Sequence, residues 1–321
     1  MALLVGCSGW SYKDWVGPFY PKDLKQKEWL EYYGRYFPTV EINSTFYTVP
    51  NRYTVEAWIR KGRAIIRLRE AGGHENGFKF SLKLPQAITH ELLVKGKVDE
   101  ALAEARDFEK AVLDPLEDFG LVGAVLVQTS PYFKYDRKDG KRNLEALGGL
   151  FDTLDLERYD CAVEFRHRTW ADQKKRCLEK LVSQLLVKHQ VALCETDGPG
   201  FPDLRLEKAK RAYIRFHGRN NDIWFKKGSG SSNGMDNGNG DLDNGGRFNR
   251  YDYLYSSKEL DGWAHRIEKL DKVQDEDDIS YVYFNNHPRG KGPKNALMLM
   301  DMLGVAHEPK EVKITSQQSL F

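Results

Sequence analysis

Eight short apolar segments, separated by longer stretches with helical periodicity, are the feature that most limits how this chain can fold. The apolar segments are residues 3–7, 39–42, 78–82, 124–127, 161–165, 191–194, 212–216 and 281–284. Amphipathic helices are predicted at 26–36, 54–65, 98–119, 144–154, 176–188, 258–270 and 293–303. This alternation predicts an α/β fold with a parallel sheet. Eight strands close a (β/α)8 barrel, so we predict a single TIM-like barrel in preference to an open doubly wound sheet.

The composition limits the classes of partner that this chain can bind. Lys and Arg number 49 against 47 Asp and Glu, which leaves a net charge of +2. A uniformly basic nucleic-acid coat is therefore excluded, and any charged partner must bind a local patch. No segment approaches the roughly 18 apolar residues of a membrane span, so we expect no membrane partner. Cys7, Cys161, Cys177 and Cys194 form no CxxC pair, and we expect free thiols in a reducing, cytoplasmic setting.

Two segments depart from the barrel pattern. Residues 228–246 consist almost entirely of Gly, Ser, Asn and Asp, which predicts a flexible insertion after the seventh strand. Residues 305–321 are polar and follow the last predicted helix. We therefore predict a barrel domain over residues 1–304 and a C-terminal tail over residues 305–321.

Polar side chains are concentrated where the predicted strands end. Active sites of (β/α)8 barrels lie at these carboxyl ends, because the βα loops converge there. The candidate residues are Trp10, Tyr12, Glu41, Asn43, Tyr47, Lys83, Gln128, Glu164, Arg166, His167, Trp170, Glu195, Asp197, Arg215, His217, Asn285, Asn286 and His287. Residues two apart on a strand share a face. Glu41 with Asn43, Glu164 with Arg166, Glu195 with Asp197, and Arg215 with His217 are then expected to point together into the barrel mouth.

Several motifs, in order along the chain, resemble a known family. They are the segments 7–12 (CSGWSY), 41–47 (EINSTFY), 78–83 (FKFSLK), 164–167 (EFRH), 212–218 (AYIRFHG) and 283–287 (YFNNH). The chain resembles the YecE-like family, also called domain of unknown function 72, from about residue 4 to residue 303. The resemblance implies a TIM-like barrel with a pocket. It implies no particular reaction.

One candidate chemistry is metal-assisted phosphoester hydrolysis. His167, His217 and His287, with carboxylates such as Glu41 and Glu164, could supply nitrogen and oxygen ligands at a barrel mouth. Arginines 166 and 215 would repel a divalent cation, and the histidine spacing matches no compact metal motif. The cofactor therefore stays unknown, and a divalent metal is not the favoured interpretation.

Binding of an anionic ligand uses the same residues more simply. Arg166, Arg215 and Lys83 could clamp a phosphate or a carboxylate, and the aromatic residues in the same loops could stack on a base or sugar. Glu41, Glu164, His217 and His287 are the candidates for acid–base catalysis. The favoured function is an enzyme for a phosphate-bearing substrate, such as a DNA-associated phosphodiesterase. A non-enzymatic nucleotide- or nucleic-acid-binding barrel and a sugar-processing barrel remain as alternatives.

The segment Gln317–Phe321 has a pattern that could bind a partner. It resembles the peptide with which bacterial DNA-maintenance proteins bind the sliding clamp: Gln, two variable positions, Leu and Phe. Gln317 would bind the pocket rim, while Leu320 and Phe321 would fill an apolar pocket. Gln318 stands where Leu is frequent, which should weaken binding. The expected partner is the sliding clamp.

Overall fold

Eight parallel strands close into a barrel. The structure, a computed structural model, describes residues 2–314 except 75–76, 137, 173–176, 200–210, 221–249 and 272–277. The barrel strands are β1 (Ala2–Ser8), β2 (Thr39–Ile42), β3 (Lys79–Lys83), β4 (Val122–Gln128), β5 (Asp160–Glu164), β6 (Ala192–Asp197), β7 (Tyr213–Phe216) and β8 (Ile279–Phe284). Each strand pairs with its neighbours in chain order, and β8 pairs with β1 to close the ring. The predicted (β/α)8 barrel is therefore confirmed, and every predicted apolar segment overlaps a strand.

Helices surround the barrel. The α-helices are α1 (Trp29–Tyr36), α2 (Ser44–Tyr47), α3 (Arg52–Ala71), α4 (Val98–Phe108), α5 (Asp114–Glu117), α6 (Gly140–Thr153), α7 (Lys180–Lys188), α8 (Ser257–Asp271) and α9 (Lys291–Met302). Short 3-10 turns lie at Lys13–Trp15, Gln26–Glu28, Arg168–Trp170 and Pro288–Gly290, and two-residue strands Ala171–Asp172 and Cys177–Leu178 form a small hairpin. The sequence prediction missed α2 and the π-helical segment Ala87–Leu92. Both lie in loops that form the mouth of the barrel.

The predicted helix at 98–119 is interrupted. Its α-helical turns end at Phe108, and a π-helical segment, Glu109–Leu113, precedes α5. Pro115 follows and has no N–H to donate to the carbonyl of Ala111, so a regular α-ladder cannot continue through this point. The amphipathic pattern predicted the position of the whole segment but not this change of pitch.

The barrel interior is packed rather than hollow. Buried residues of the barrel interior include Leu4, Leu126, Tyr213, Tyr281 and Tyr283. Each tyrosine hydroxyl has a partner: Tyr213 donates to Glu41 Oε1 at 2.8 Å, Tyr281 to Asp160 Oδ2 at 2.7 Å and Tyr283 to Ser81 Oγ at 2.7 Å. Buried hydroxyls are stable only when hydrogen-bonded. These interior side chains pack beneath the polar side chains of the mouth.

The hydroxyl of Tyr33 bridges the seam between β1 and β2. It accepts a hydrogen bond from the Cys7 N–H at 2.7 Å and donates to the Thr39 carbonyl at 2.9 Å. Gly6 leaves room for this contact, since a Cβ at that position would lie 2.1 Å from Thr39 O. A side chain of α1 thereby completes the pairing of two barrel strands.

The predicted tail begins as a segment packed on the barrel. The side chain of Val312 is buried, and the Lys313 N–H donates to the Pro18 carbonyl at 3.2 Å. Lys310 Nζ donates to Tyr32 Oη at 2.6 Å and lies within 6 Å of three aromatic ring centres. Residues 315–321 and the predicted insertion at 228–246 lie outside the described part of the chain.

The remaining composition-based expectations concern membranes and thiols. In the described part of the chain, no helix is both long and apolar enough to cross a lipid bilayer. All four cysteines are free, as predicted. Cys7, Cys161 and Cys194 are buried, and burial raises the pKa of each of these thiols. None of the three is therefore ionised at neutral pH.

Candidate functional site at the barrel mouth

A buried arginine joins two carboxylates across the carboxyl end of the barrel. Arg215 Nη1 lies 2.6 Å from Glu164 Oε2, and Arg215 Nη2 lies 2.9 Å from Glu41 Oε2. The Ser8 hydroxyl donates to the same Glu41 oxygen at 2.6 Å. Strands β1, β2, β5 and β7 each contribute one residue to this cluster, which we call the Arg215 layer (Ser8, Glu41, Glu164 and Arg215). Its residues are at most 1% exposed.

The charges in this layer stabilise one another. Burial alone would raise the pKa of Glu164, but Arg166 and Arg215 hold it well below its ordinary value. The pKa of Glu41 is also lowered, because Arg215 and Lys83 outweigh the effect of burial. Burial opposes the charge on Arg215, yet its two carboxylates raise its pKa. All three groups are therefore ionised, which is the condition for a buried ion cluster to be tolerated.

His217 lies beside the layer and is neutral. Its Nε2 is 3.3 Å from Arg215 Nη1, and the Asn285 amide lies 2.8 Å from its Nδ1. Burial and the adjacent Arg215 guanidinium hold the pKa of His217 well below 6.5.

Lys83, on β3, lies at the edge of the layer. Its Nζ donates to Gln128 Oε1 at 3.1 Å and lies 5.7 Å from the centre of the Phe46 ring. Burial and the charge of Arg215 lower the pKa of Lys83 to about 8. Among the described residues, no carboxylate oxygen lies within salt-bridge distance of this ammonium group.

Residues on the loops complete the rim near Lys83. Arg166 forms an ion pair with Glu164, and its side chain is 22% exposed. His90 stands edge-on against Phe46, with ring centres 4.9 Å apart, and burial together with Arg166 lowers its pKa to about 4. Asn43 Oδ1 is buried without a hydrogen-bond partner in the described structure. His90 was missed by the sequence prediction because it lies in the π-helical segment, seven residues beyond the end of β3.

The opposite side of the mouth is aromatic. The ring of His287 stacks on Tyr12, with centres 4.4 Å apart, and the Trp15 indole donates to the His287 carbonyl at 2.7 Å. Tyr251 lies between His217 and His287, with ring centres 5.9 and 5.8 Å away. Burial lowers the pKa of His287 to about 4. The structure thus places two of the three predicted histidines, His217 and His287, around one tyrosine.

The prediction for Glu195 and Asp197 is wrong. Both side chains face away from the mouth toward the outer helix α8: Glu195 Oε2 lies 2.5 Å from Arg266 Nη2, and Asp197 Oδ2 accepts from the Trp263 indole at 2.7 Å. The inward-facing residue of this part of β6 is Cys194, which packs with the barrel interior. Both faces of β6 carry polar residues, so alternation alone could not decide which face of the strand points into the barrel.

Other predicted residues lie at or beyond the rim. The Trp170 indole is fully buried and donates to the Phe133 carbonyl at 2.8 Å, so this side chain is part of the packing. His167 caps the turn Arg168–Trp170 through its Nδ1. Asn286 Nδ2 donates to Tyr253 O and to Asn295 Oδ1, both at 2.8 Å, behind strand β8. Tyr47 packs against Phe46, with ring centres 5.1 Å apart.

Trp10 lies apart from the Arg215 layer, in a groove near the ends of α1 and α3. The groove has a volume of about 360 Å³ and is also lined by Tyr53, Trp58 and Lys61. The predicted aromatic residues are therefore divided between the mouth and this neighbouring groove.

Among the described residues, no group of three or more His, Cys, Asp or Glu side chains is arranged to hold a metal ion. The carboxylates that face the mouth, Glu41 and Glu164, are paired with arginines.

The fold and the mouth define a (β/α)8 barrel protein with a polar, partly aromatic site at the carboxyl ends of its strands. The family described as "Protein of unknown function DUF72" matches residues 4–319, and the chain belongs to this family. It is 26% identical over 312 residues to the UPF0759 protein YunF of Bacillus subtilis, covering 95% of this chain and 96% of the relative.

Solved structures show the same fold. A DUF72 family protein from Thermotoga maritima is 29% identical, with a TM-score of 0.70, covering 95% of this chain and 100% of the other. A DUF72 family protein from Enterococcus faecalis is 20% identical, with a TM-score of 0.67, covering 97% of this chain and 100% of the other. The barrel is thus shared along the whole length of these relatives.

Proposed function

We propose that the barrel mouth binds a small ligand through an anionic group, and that this group is a phosphate. The observation that carries the proposal is the charge balance of the described residues in and next to the Arg215 layer. Lys83, Arg166 and Arg215 supply cations, whereas only Glu41 and Glu164 supply carboxylates, and His217 is neutral. These residues therefore carry one positive charge more than their own acids neutralise, and a bound anion would compensate it.

The exposed fractions indicate which of these residues a ligand would contact. Glu41 and Arg215 are 0% exposed, whereas Lys83 and Gln128 are each 8% exposed. The side chain of Arg166 is 22% exposed. A ligand would therefore bind to Arg166, Lys83 and Gln128, and the Arg215 layer would act beneath it as a positioning layer.

A phosphate fits this part of the mouth in charge and hydrogen bonding. Arginine presents a planar set of donors to phosphate oxygens, and lysine adds a point charge. Tyr47, a partly exposed aromatic residue at the rim, offers a ring for a base or sugar. A nucleotide is the ligand class that combines both groups.

Isothermal titration calorimetry tests the proposal. Inorganic phosphate, adenosine 5′-monophosphate and glucose would be titrated into the wild-type protein and into Lys83→Met and Arg166→Met. We expect both variants to lose phosphate affinity by about tenfold or more, since a charge-assisted hydrogen bond contributes about 1.5–3 kcal/mol. Lys141→Met is the matched control, because the Lys141 side chain is 88% exposed on α6.

Two results would contradict the proposal. One is equal phosphate affinity in all the variants. The other is binding of glucose, but not of phosphate, which would favour the alternative of a sugar-processing barrel.

The enzymatic part of the proposal is hydrolysis of a phosphoester. Glu41, Glu164 and His217 lie beneath the exposed surface of the mouth, so they would act on a ligand through the groups above them. His90 is partly exposed, and its lowered pKa keeps the imidazole neutral at neutral pH, so it would orient a water molecule or the ligand through a hydrogen bond. Turnover of bis(4-nitrophenyl) phosphate that is lost in His90→Ala would support this role. An unchanged rate in that variant would contradict it.

A further inference from the structure

Lys83 differs from the other cations of the mouth in the kind of group that its charged end contacts. Arg215 contacts two carboxylates and Arg166 contacts one, whereas the described contact of Lys83 Nζ is a neutral amide oxygen, Gln128 Oε1 at 3.1 Å. The aliphatic part of the side chain lies on an inward-facing position of β3, and the residue is 8% exposed. Lys83 therefore presents a nearly buried amine at the edge of the surface that a ligand would reach.

The surroundings of this amine disfavour its proton. Burial of an ammonium that contacts no carboxylate is costly, and repulsion from both arginines of the mouth opposes the attraction of Glu41 and Glu164. The pKa of Lys83 falls to about 8 as a result of burial and the charge of Arg215. A lysine next to a second cation, in a site that excludes water, is a recognised way to obtain a nucleophilic amine near neutral pH.

We propose that Lys83 is a nucleophile that forms a covalent imine with the carbonyl carbon of an anionic aldehyde or ketone. The inference rests on the proposed function, because Arg166 would hold the anionic group while Lys83 reacts. Among ligands bound through a phosphate, it selects aldehydes and ketones in place of nucleotides as the substrate class. Gln128 fixes the position of Nζ and is a positioning residue for this step.

The atoms and charges of the step balance. The lone pair of neutral Nζ forms the N–C bond, the C=O π electrons move to oxygen, and oxygen takes up the proton that nitrogen releases. The carbinolamine then takes a proton from solvent and loses its oxygen as water, which leaves a cationic iminium. The anionic group of the substrate offsets this charge in the way that it would offset the ammonium.

Reductive trapping tests the inference on the full-length protein. The protein would be incubated at neutral pH with glycolaldehyde phosphate and sodium cyanoborohydride, which adds hydride to the iminium carbon and leaves a stable secondary amine. Adduct formation would be followed by intact mass and located by peptide mapping. A pKa of about 8 instead of 10.5 makes the neutral amine on the order of a hundredfold more abundant at neutral pH. We therefore expect modification at Lys83 to outpace all other lysines by at least tenfold.

Four comparisons make the result decisive. Lys83→Arg keeps the charge and should lose the fast adduct. Lys79 lies on the same strand at the far end of the barrel, so Lys79→Arg should retain the fast adduct at Lys83. Glycolaldehyde, which lacks the phosphate, should react at Lys83 at least tenfold more slowly, and inorganic phosphate should protect the residue.

Failure of the inference and failure of the proposed function are distinguishable. If phosphate binds by calorimetry but Lys83 is labelled no faster than exposed lysines, the nucleophile is overturned and the anion site stands. If Lys83 is labelled rapidly by both aldehydes and phosphate gives no protection, the phosphate-bearing substrate class is overturned.

Discussion

Arg215 Nη1 contacts Glu164 Oε2 at 2.6 Å across the barrel mouth, with both side chains at most 1% exposed. The same guanidinium contacts Glu41 through its other terminal nitrogen. One cation from β7 therefore connects β2 and β5 through the interior. We therefore expect the stability of the Arg215 layer to depend on this arginine.

Arg215→Met should destabilise the protein strongly. The substitution would leave Glu41 buried without its ion-pair partner and Glu164 with Arg166 as its remaining described ion-pair partner. Breaking a buried pair by removing one partner costs about 3–5 kcal/mol, and urea unfolding followed by circular dichroism would measure the loss.

Arg158→Met is the matched control for this substitution. Arg158 also contacts two carboxylates, but its side chain is 37% exposed. Exposed pairs contribute about 0–1 kcal/mol. An Arg215→Met protein no less stable than the control would show that the layer is not held by charge.

The stability of the protein should fall as the pH drops below about 6.5, in part because of His287. Burial lowers the pKa of His287 to about 4 in the folded chain, from 6.5. Between these values the unfolded chain binds a proton that the folded chain does not, so acid favours unfolding. His287→Phe keeps a ring against Tyr12 and removes this proton. In this variant, the free energy of unfolding should therefore depend less steeply on pH, by up to about 1.4 kcal/mol per pH unit.

Unfolding free energies measured by urea titration from pH 7 to pH 4.5 would test the role of His287. His265→Gln is the control, because the His265 side chain is 66% exposed. Its pKa shifts upward through its contacts with Asp261, so it cannot produce this slope. An identical pH dependence in the wild type and in His287→Phe would contradict the prediction.

The strands were predictable from the sequence because the walls of the barrel require continuous apolar runs. Every predicted run overlaps a strand, and for Thr39–Ile42 the bounds are the same. Much of the mouth was also predictable, because period two places Glu164 with Arg166 and Arg215 with His217 on inward faces. The same rule failed for β6, where Glu195 and Asp197 face α8 instead.

Two features of the site could not be read from sequence periodicity. His90 lies in a π-helical segment that has no strand or α-helical pattern. The depth of each side chain also depends on the stagger of strands around the barrel. The sequence therefore placed Glu41 and Lys83 in one group, although only Lys83 reaches the exposed edge.

The segment Gln317–Phe321 is predicted to bind a bacterial sliding clamp, and it lies outside the described residues. Fluorescence polarisation would compare the full-length chain with a version that ends at Ser316. We expect binding only with the full-length chain, and loss of binding in a Leu320→Ala, Phe321→Ala double variant. Gln318→Leu restores the residue frequent at that position and should tighten binding. Equal signals from the full-length and shortened chains would contradict the prediction.

Tyr33→Phe should destabilise the barrel at the seam between β1 and β2. The hydroxyl satisfies the Cys7 N–H and the Thr39 carbonyl, and both of these residues are buried. Leaving a buried backbone group unpaired costs about 1–3 kcal/mol, so we expect a loss of about 2–4 kcal/mol in urea unfolding. Tyr36→Phe, on the same helix, removes a hydroxyl whose contact with Tyr32 is 3.4 Å long. This control should change stability by less than about 0.5 kcal/mol.

Lys83→Met should make the protein more stable at neutral pH. The folded pKa of about 8 lies below 10.5, so the folded chain holds this proton less tightly than the unfolded chain does. The free-energy cost of burying the protonated Lys83 side chain is complete below pH 8 and disappears as the pH rises toward 10.5. Methionine has a similar shape without the charge, so we expect a gain of about 1–3 kcal/mol at pH 7.

Urea titrations of Lys83→Met at pH 7 and at pH 10 would measure this gain and its decline. Lys141→Met, at an exposed position, should show neither effect. A lysine needed only for structure would give the opposite sign, because its removal would lower stability. A gain in stability together with lost phosphate binding would therefore indicate that Lys83 is present for its chemistry, since the fold alone would favour an apolar side chain at this position.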